Sequence, residues 1–189
     1  CLYKYDVDTE EVVRYIEVPG ISLKTLALDA EGNLLLGTDA GLLVLDLEKK
    51  TFIQVAHDSR NTRSLCNNII YDILSDRNHN IWLATERGVS LAQSNTVQHY
   101  IHLSELVSTG EGNLFTFIHK DSFGDYWLSG KNGLIHLSND RDVAWFRTDS
   151  EDHPLKHNRV RHVYEDSHHD IWIASDGGVG KYDRKNDRF

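Results

Sequence analysis

The chain has 189 residues, of which 20 are basic and 29 acidic, for a formal net charge of −9. So acidic a balance argues against a nucleic-acid surface, which works through clustered cations. Hydrophobic residues make up 40%, enough for a packed core, and no run approaches the roughly 18 uninterrupted apolar residues of a spanning helix, so no direct membrane contact is expected of this segment.

In chain order, the first element is Leu2-Tyr3-Lys4-Tyr5-Asp6, a short strand that closes in an aspartate. Its shape returns at Leu42-Leu43-Val44-Leu45-Asp46, so residues 1–18 read as the outer half of a unit that repeats along the whole chain. Four aligned stretches carry that repeat, opening at Asp29, Asp76, Asp121 and Asp166, which stand 47, 45 and 45 residues apart. Six residues after each comes Leu35, Trp82, Trp127 or Trp172, and twelve after each comes Gly41, Gly88, Gly133 or Gly178. An apolar run precedes every aspartate: Thr25–Leu28, Ile69–Leu74, Phe115–Ile118 and Val160–Tyr164. A strand follows every glycine, and a polar turn then leads to an aromatic strand at Phe52, Tyr100, Phe146 or Phe189.

Four short strands per repeat of about 45 residues, with turn signals between them, predict an all-β chain of propeller blades. The blades are expected at 21–65, 66–110 and 111–157, with an incomplete one at 158–189 and inner strands near 23–28, 69–74, 114–119 and 160–165. Both ends fall inside a blade. The chain therefore reads as a β-propeller segment of about four consecutive four-stranded blades, an arc of a larger ring whose partners are missing blades or a second copy of itself. Two cysteines, Cys1 and Cys66, make neither a disulfide framework nor a Cys-x-x-Cys site, and no cofactor is expected.

The pattern from Glu165-Asp166 through Ile171-Trp172-Ile173 to Gly178-Val179-Gly180-Lys181-Tyr182-Asp183 resembles the two-component regulator propeller repeat. The resemblance recurs four times and covers nearly the whole chain. It implies a seven-bladed ring, usually one of a pair, in the periplasmic sensor of a hybrid histidine kinase of Bacteroidetes. It further implies an oligosaccharide ligand and control of polysaccharide-utilisation genes. Leu35 in place of Trp, Gly130 in place of Thr, and His79 and His169 in place of Gly depart from the pattern. The family's ligand contacts lie outside its repeat motif, so none can be carried over.

The repeated residues read first as scaffold. Equivalent aspartates argue against a catalytic acid, since an active site needs an asymmetric constellation, and an Asp opening a turn bonds N–H groups ahead of it. The three aligned indoles sit between apolar neighbours and are expected in the packing between blades. Trp145 lies outside that position, as either an outer-strand aromatic or an exposed contact. His79 and His169 stand where Gly32 and Gly124 stand, at a turn position expected to need φ > 0, so the His168-His169-Asp170 cluster calls for no metal. Asn68, Asn113 and Asn158 are expected to bond loop backbone.

Specificity is expected where a fixed frame carries varying residues, on the face formed by the turns between second and third strands and by the blade-to-blade connections Ser59–Asn67 and Asp152–Asn158. Glu86, Arg87, Lys131 and Asn132 are the candidate ligand-binding residues, since their groups suit hydroxyls or carboxylates. Arg60, Arg63, Arg87, Lys131, Arg159 and Arg161 could form local basic spots on one face, but they are scattered, and solvated loop charges are the ordinary reading. The leading function is a non-enzymatic, periplasmic sensor segment. A propeller-fold glycosidase or lyase, or a protein-interaction platform, is the alternative.

Overall fold

A computed structural model describes residues 1–93, 100–106, 114–140, 142–151 and 154–189. They form five sheets in chain order. The first pairs β1 (Leu2–Asp6) with β2 (Glu11–Ile16). The second runs through β3 (Leu23–Leu28), β4 (Leu34–Thr38), β5 (Leu42–Asp46) and β6 (Thr51–Val55). The third holds β7 (Ile70–Ser75), β8 (Ile81–Thr85), β9 (Gly88–Ala92) and the short β10 (Ile101–His102), which leads into one helical turn, α1 (Leu103–Leu106). The fourth holds β11 (Phe115–Lys120), β12 (Tyr126–Gly130), β13 (Gly133–Leu137) and β14 (Val143–Phe146). The fifth holds β15 (Val160–Glu165), β16 (Ile171–Ser175) and β17 (Gly178–Lys181). Neighbouring strands pair antiparallel in sequence order, giving up-and-down meanders. The inner strands β3 and β15 fall where the repeat places them, and β7 and β11 lie one residue later.

Period-two alternation makes each central sheet apolar on both faces. Leu35 faces the third sheet, in one core with Ile70, Ile73, Ile81 and Leu83. Its neighbour Leu36 faces back toward the first sheet, with Leu43 and Val18. One step along, Trp82 meets Phe115, Ile118 and Leu128 of the fourth sheet. A further step brings Trp127 against Val160, Val163, Ile171 and Ile173 of the fifth. The sheets therefore stack face to face in chain order, as propeller blades do, and every interface is built the same way.

Trp82 and Trp127 are buried as expected, but Trp172 is only half-buried. By the same alternation its indole faces away from the fourth sheet, where no further sheet stands among the described residues. Trp145, on β14, is half-buried against the core between the third and fourth sheets, which answers the question left open for it.

The repeated aspartates are turn residues. One oxygen of Asp76 accepts the N–H groups of Asn78 (2.8 Å) and Asn80 (2.9 Å). Asp29, Asp121 and Asp166 accept the same two donors, two and four residues ahead. The second oxygen of Asp121 and of Asp166 takes the indole N–H of Trp127 (3.0 Å) and Trp172 (2.8 Å). At Asp76 the Tyr126 hydroxyl of the next sheet donates there instead, and Trp82 packs against Tyr126 with ring centroids 4.4 Å apart and the planes tilted by 36°. His79 (φ 63°) and His169 (φ 64°) occupy the left-handed position that Gly32 and Gly124 fill elsewhere. Histidine is among the residues that tolerate this backbone, so both departures from glycine fit the turn.

Two tests follow from this packing. Trp127→Ala should cost about 3–5 kcal/mol, as for a fully enclosed indole, and Trp172→Ala less than half of that. Urea unfolding of both variants measures it, and equal losses would contradict the stacking order. The second concerns acid. Burial pushes the Asp76 carboxyl up, but the Tyr126 hydroxyl and the Asn80 and Asn78 donors outweigh it and hold it at about 2. A carboxyl held below its ordinary value of 3.8 stabilises the fold above that pH and loses the contribution as pH falls toward about 2. Tyr126→Phe should cost about 1–3 kcal/mol at neutral pH and much less near pH 2, read from unfolding curves at both pH values.

Candidate functional site

Each inner strand is irregular at one repeat position. Pairing slips between Leu23 and Thr25, Ile70 and Asp72, Phe115 and Phe117, and Val160 and His162. The residue passed over is Lys24, Tyr71, Thr116 or Arg161, in each case five residues before the turn aspartate. A bulge re-aims a side chain and leaves a ladder N–H without its partner.

The residues just after the bulges lock neighbouring inner strands together. Asp72 Oδ2 accepts the Ile118 N–H of the next sheet at 2.9 Å. Its Oδ1 accepts the Ile73 N–H (3.0 Å) and the Thr25 hydroxyl of the preceding sheet (3.4 Å). Burial raises the Asp72 carboxyl above its ordinary range despite these donors. At the next junction Phe117 and His162 take over, with ring centroids 4.0 Å apart.

The turns between second and third strands are pinned onto the same rim. The first N–H of each turn donates to the carbonyl two residues before the bulge: Asp39 to Ser22 (3.2 Å), Glu86 to Ile69 (3.1 Å), Lys131 to Leu114 (3.0 Å) and Asp176 to Arg159 (3.1 Å). Thr38, Thr85 and Ser175 close their turns by donating a hydroxyl to the carbonyl of Gly41, Gly88 and Gly178. Gly130 stands in that place in the fourth sheet, where a Cβ would lie 2.0 Å from the Leu114 carbonyl oxygen. Backbone approach therefore explains the missing threonine.

On this rim a cleft of about 320 Å³ opens across three sheets, lined chiefly by Tyr71, Thr116, Lys131, Arg159 and Arg161. Three of its side chains are cationic and no carboxylate lines it. Arg161 Nε pairs with Asp176 Oδ1 just outside, at 2.5 Å, and that hydrogen bond holds the exposed Asp176 carboxyl below its ordinary range. Lys131 and Arg159 are exposed, and neither side chain makes a hydrogen bond or ion pair among the described residues.

Of the four residues singled out by sequence, Lys131 lines this cleft. Asn132 lies on the other side of its turn, at a small crevice with Gly133 and Trp145. Glu86 (half-buried) and Arg87 (exposed) occupy the equivalent turn of the third sheet and do not line the cleft. Tyr71, Thr116, Arg159 and Arg161 were not on the sequence-based site list. The signal for three of them was present, since the position five before each aspartate varies among Lys, Tyr, Thr and Arg. Asn68 and Asn158 bond loop N–H groups of His57 (2.6 Å) and Thr148 (2.7 Å), and Asn113 lies outside the described residues.

The opposite rim carries a cluster with the composition of a nucleophile relay. Ser122 Oγ lies 2.5 Å from Glu165 Oε1 and 2.9 Å from His169 Nδ1. The same Nδ1, however, is the atom that meets Glu165, at 3.1 Å. A relay needs opposite ring nitrogens for nucleophile and acid, so this cluster lacks that arrangement and instead joins two turns.

Comparison with known proteins agrees with this architecture. Residues 64–87 and 154–177 match the two-component regulator propeller. The chain carries repeats of that family. The histidine kinase P4 of Formosa agariphila is 26% identical over 150 residues, which cover 76% of this chain and 11% of that protein. The extracellular domain of a hybrid two-component system of B. thetaiotaomicron is 41% identical across 99% of this chain and 26% of its own, with a TM-score of 0.47. That of a second such system superposes with a TM-score of 0.75 at 20% identity, over 94% of this chain and 25% of its own. Virginiamycin B lyase of Staphylococcus aureus shares the fold at 13% identity, with a TM-score of 0.68 over 97% of this chain and 59% of its own. The chain thus spans about a tenth of the curated relative and about a quarter of each of the two sensor domains.

The support that Asp72 gives this rim can be tested by removal. Asp72→Ala leaves the Ile118 N–H without its acceptor and should cost about 1–3 kcal/mol. In amide exchange, Ile118 should lose protection before residues of the fifth sheet do. Unchanged Ile118 exchange would mean that the carboxylate does not hold the two inner strands together.

Proposed function

We propose that these sheets belong to the extracytoplasmic, periplasmic sensor of a hybrid two-component histidine kinase, and that their role is to bind a ligand rather than to transform one. The observation that carries this reading is a rigid rim of repeated geometry, in regulator propeller repeats, on which the residue types change from sheet to sheet. Such a frame suits recognition. The ligand is an oligosaccharide, bound by the second-to-third-strand turns and the adjoining bulges, with Lys131 central and Glu86, Arg87 and Asn132 alongside. Binding shifts how these sheets sit against further blades or a second propeller of the same protein, and through them gates the kinase that controls polysaccharide-utilisation genes.

The enzyme alternative has less support. Glycoside hydrolysis works through a pair of carboxyl groups flanking the scissile bond. The cleft offers cations, a phenol and a hydroxyl, which bind but do not form that pair.

Calorimetric titration of an oligosaccharide panel into the full chain tests the proposal. Lys131→Ala should weaken the sugar that binds by about fivefold, the worth of one hydrogen bond of about 1 kcal/mol, and Arg87→Ala by less. A sugar that binds the parent and both variants alike would move the site off this rim.

A further inference from the structure

Resting on that reading, we infer that the ligand is anionic: a saccharide bearing carboxylate or sulfate groups, held in the cleft between the third, fourth and fifth sheets. The chain as a whole is acidic, with a formal charge of −9, so a chance patch of its surface would lean negative. This cleft does the reverse. Lys131, Arg159 and Arg161 converge on it from a turn, a loop and a bulge, and the nearby acid, Asp176, pairs with Arg161 and also attracts Arg159. Lys131 stays uncommitted, and one carboxylate against three cations leaves net positive charge in a concave site that Tyr71 and Thr116 complete.

The way these groups are mounted suits an anion. Arg161 and Tyr71 sit at bulges, and bulges aim side chains away from the regular alternation. Arg159 and Lys131 flank a pair of backbone hydrogen bonds that pin the turns, Lys131 N–H to Leu114 and Asp176 N–H to Arg159. Their backbones are held while their side chains are free to close on a ligand. Two guanidinium groups two residues apart offer forked donors to a planar carboxylate or a sulfate. Across the cleft, on the third sheet, the Tyr71 ring offers a sugar an apolar face, and Lys24, the bulge residue of the preceding sheet, holds its Nζ over that ring, 5.6 Å from the centroid, and extends the positive row.

The test is a calorimetric comparison of three probes with the full chain: trigalacturonic acid, cellotriose sulfate and uncharged cellotriose, each at 50 and 300 mM salt. An anionic probe should bind at least tenfold tighter than cellotriose and lose most of that advantage at high salt. Arg159→Gln combined with Lys131→Gln should weaken it at least tenfold, whereas Arg159→Lys, which keeps the charge and loses the fork, should weaken it less than the double variant does. These residues are exposed, so the fold should survive, and unchanged circular dichroism checks that it does. Preference for the sulfate over the uronate, or the reverse, upholds the anionic class and identifies the group. Cellotriose binding as tightly as the charged probes overturns it, and if Tyr71→Ala then abolishes that binding, sensing at this cleft stands without the charge requirement. Binding of none of the three overturns the inference and the sensing proposal together.

Discussion

Both faces of each central sheet have to be buried, and most of the structure follows from that demand. A four-stranded meander with one solvated face would alternate apolar and polar residues along every strand. Here the second strands read Leu35-Leu36, Trp82-Leu83 and Trp127-Leu128, one residue for each neighbour. A chain of such sheets can only satisfy itself by stacking, each sheet covering the one before it. The half-buried Trp172 shows the same rule from the other side, with its indole on a face that has no sheet against it.

Stacking two-faced sheets brings backbone together where side chains are few, and the polar groups there need partners. Carboxylates supply most of them. The turn aspartates each collect two N–H groups and, in two sheets, the indole N–H six residues ahead, that of Trp127 in the next interface and that of the half-buried Trp172. Asp72 does this between sheets, accepting from Thr25 before it and Ile118 after it. The acidic composition is thus partly structural. These acids are committed to N–H and O–H donors, which leaves the cations of the rim as the groups able to meet a ligand.

That division of labour connects scaffold to function. Bulges interrupt the ladder at the same place in four sheets, and at each the frame is constant while the side chain is not. Stability is carried by the repeated residues, so Lys24, Tyr71, Thr116 and Arg161 are free to differ. A recognition surface can change on such a frame without disturbing the packing beneath it. The opposite rim, where Ser122, Glu165 and His169 tie two turns together, spends its polar groups on itself.

Repeat period, strand order, turn aspartates and the left-handed histidines were all legible in the sequence, because each unit carries a short local pattern that recurs every 45–47 residues. Local geometry is dictated by local chemistry, and four aligned copies make it readable. Trp172 was misjudged because burial depends on what stands opposite, which no single repeat records. The cleft was legible only in part. Lys131 stood out at a variable turn, but Arg159 and Arg161 looked like scattered loop charges. The bulge at position 161, and the cleft that residue shares with Tyr71, 90 residues earlier in the chain, depend on how strands pair and sheets stack. The sequence by itself determined which residues are scaffold. The tertiary structure alone decided which cations meet, because stacking the sheets converts a separation of about 45 residues into adjacency across one rim.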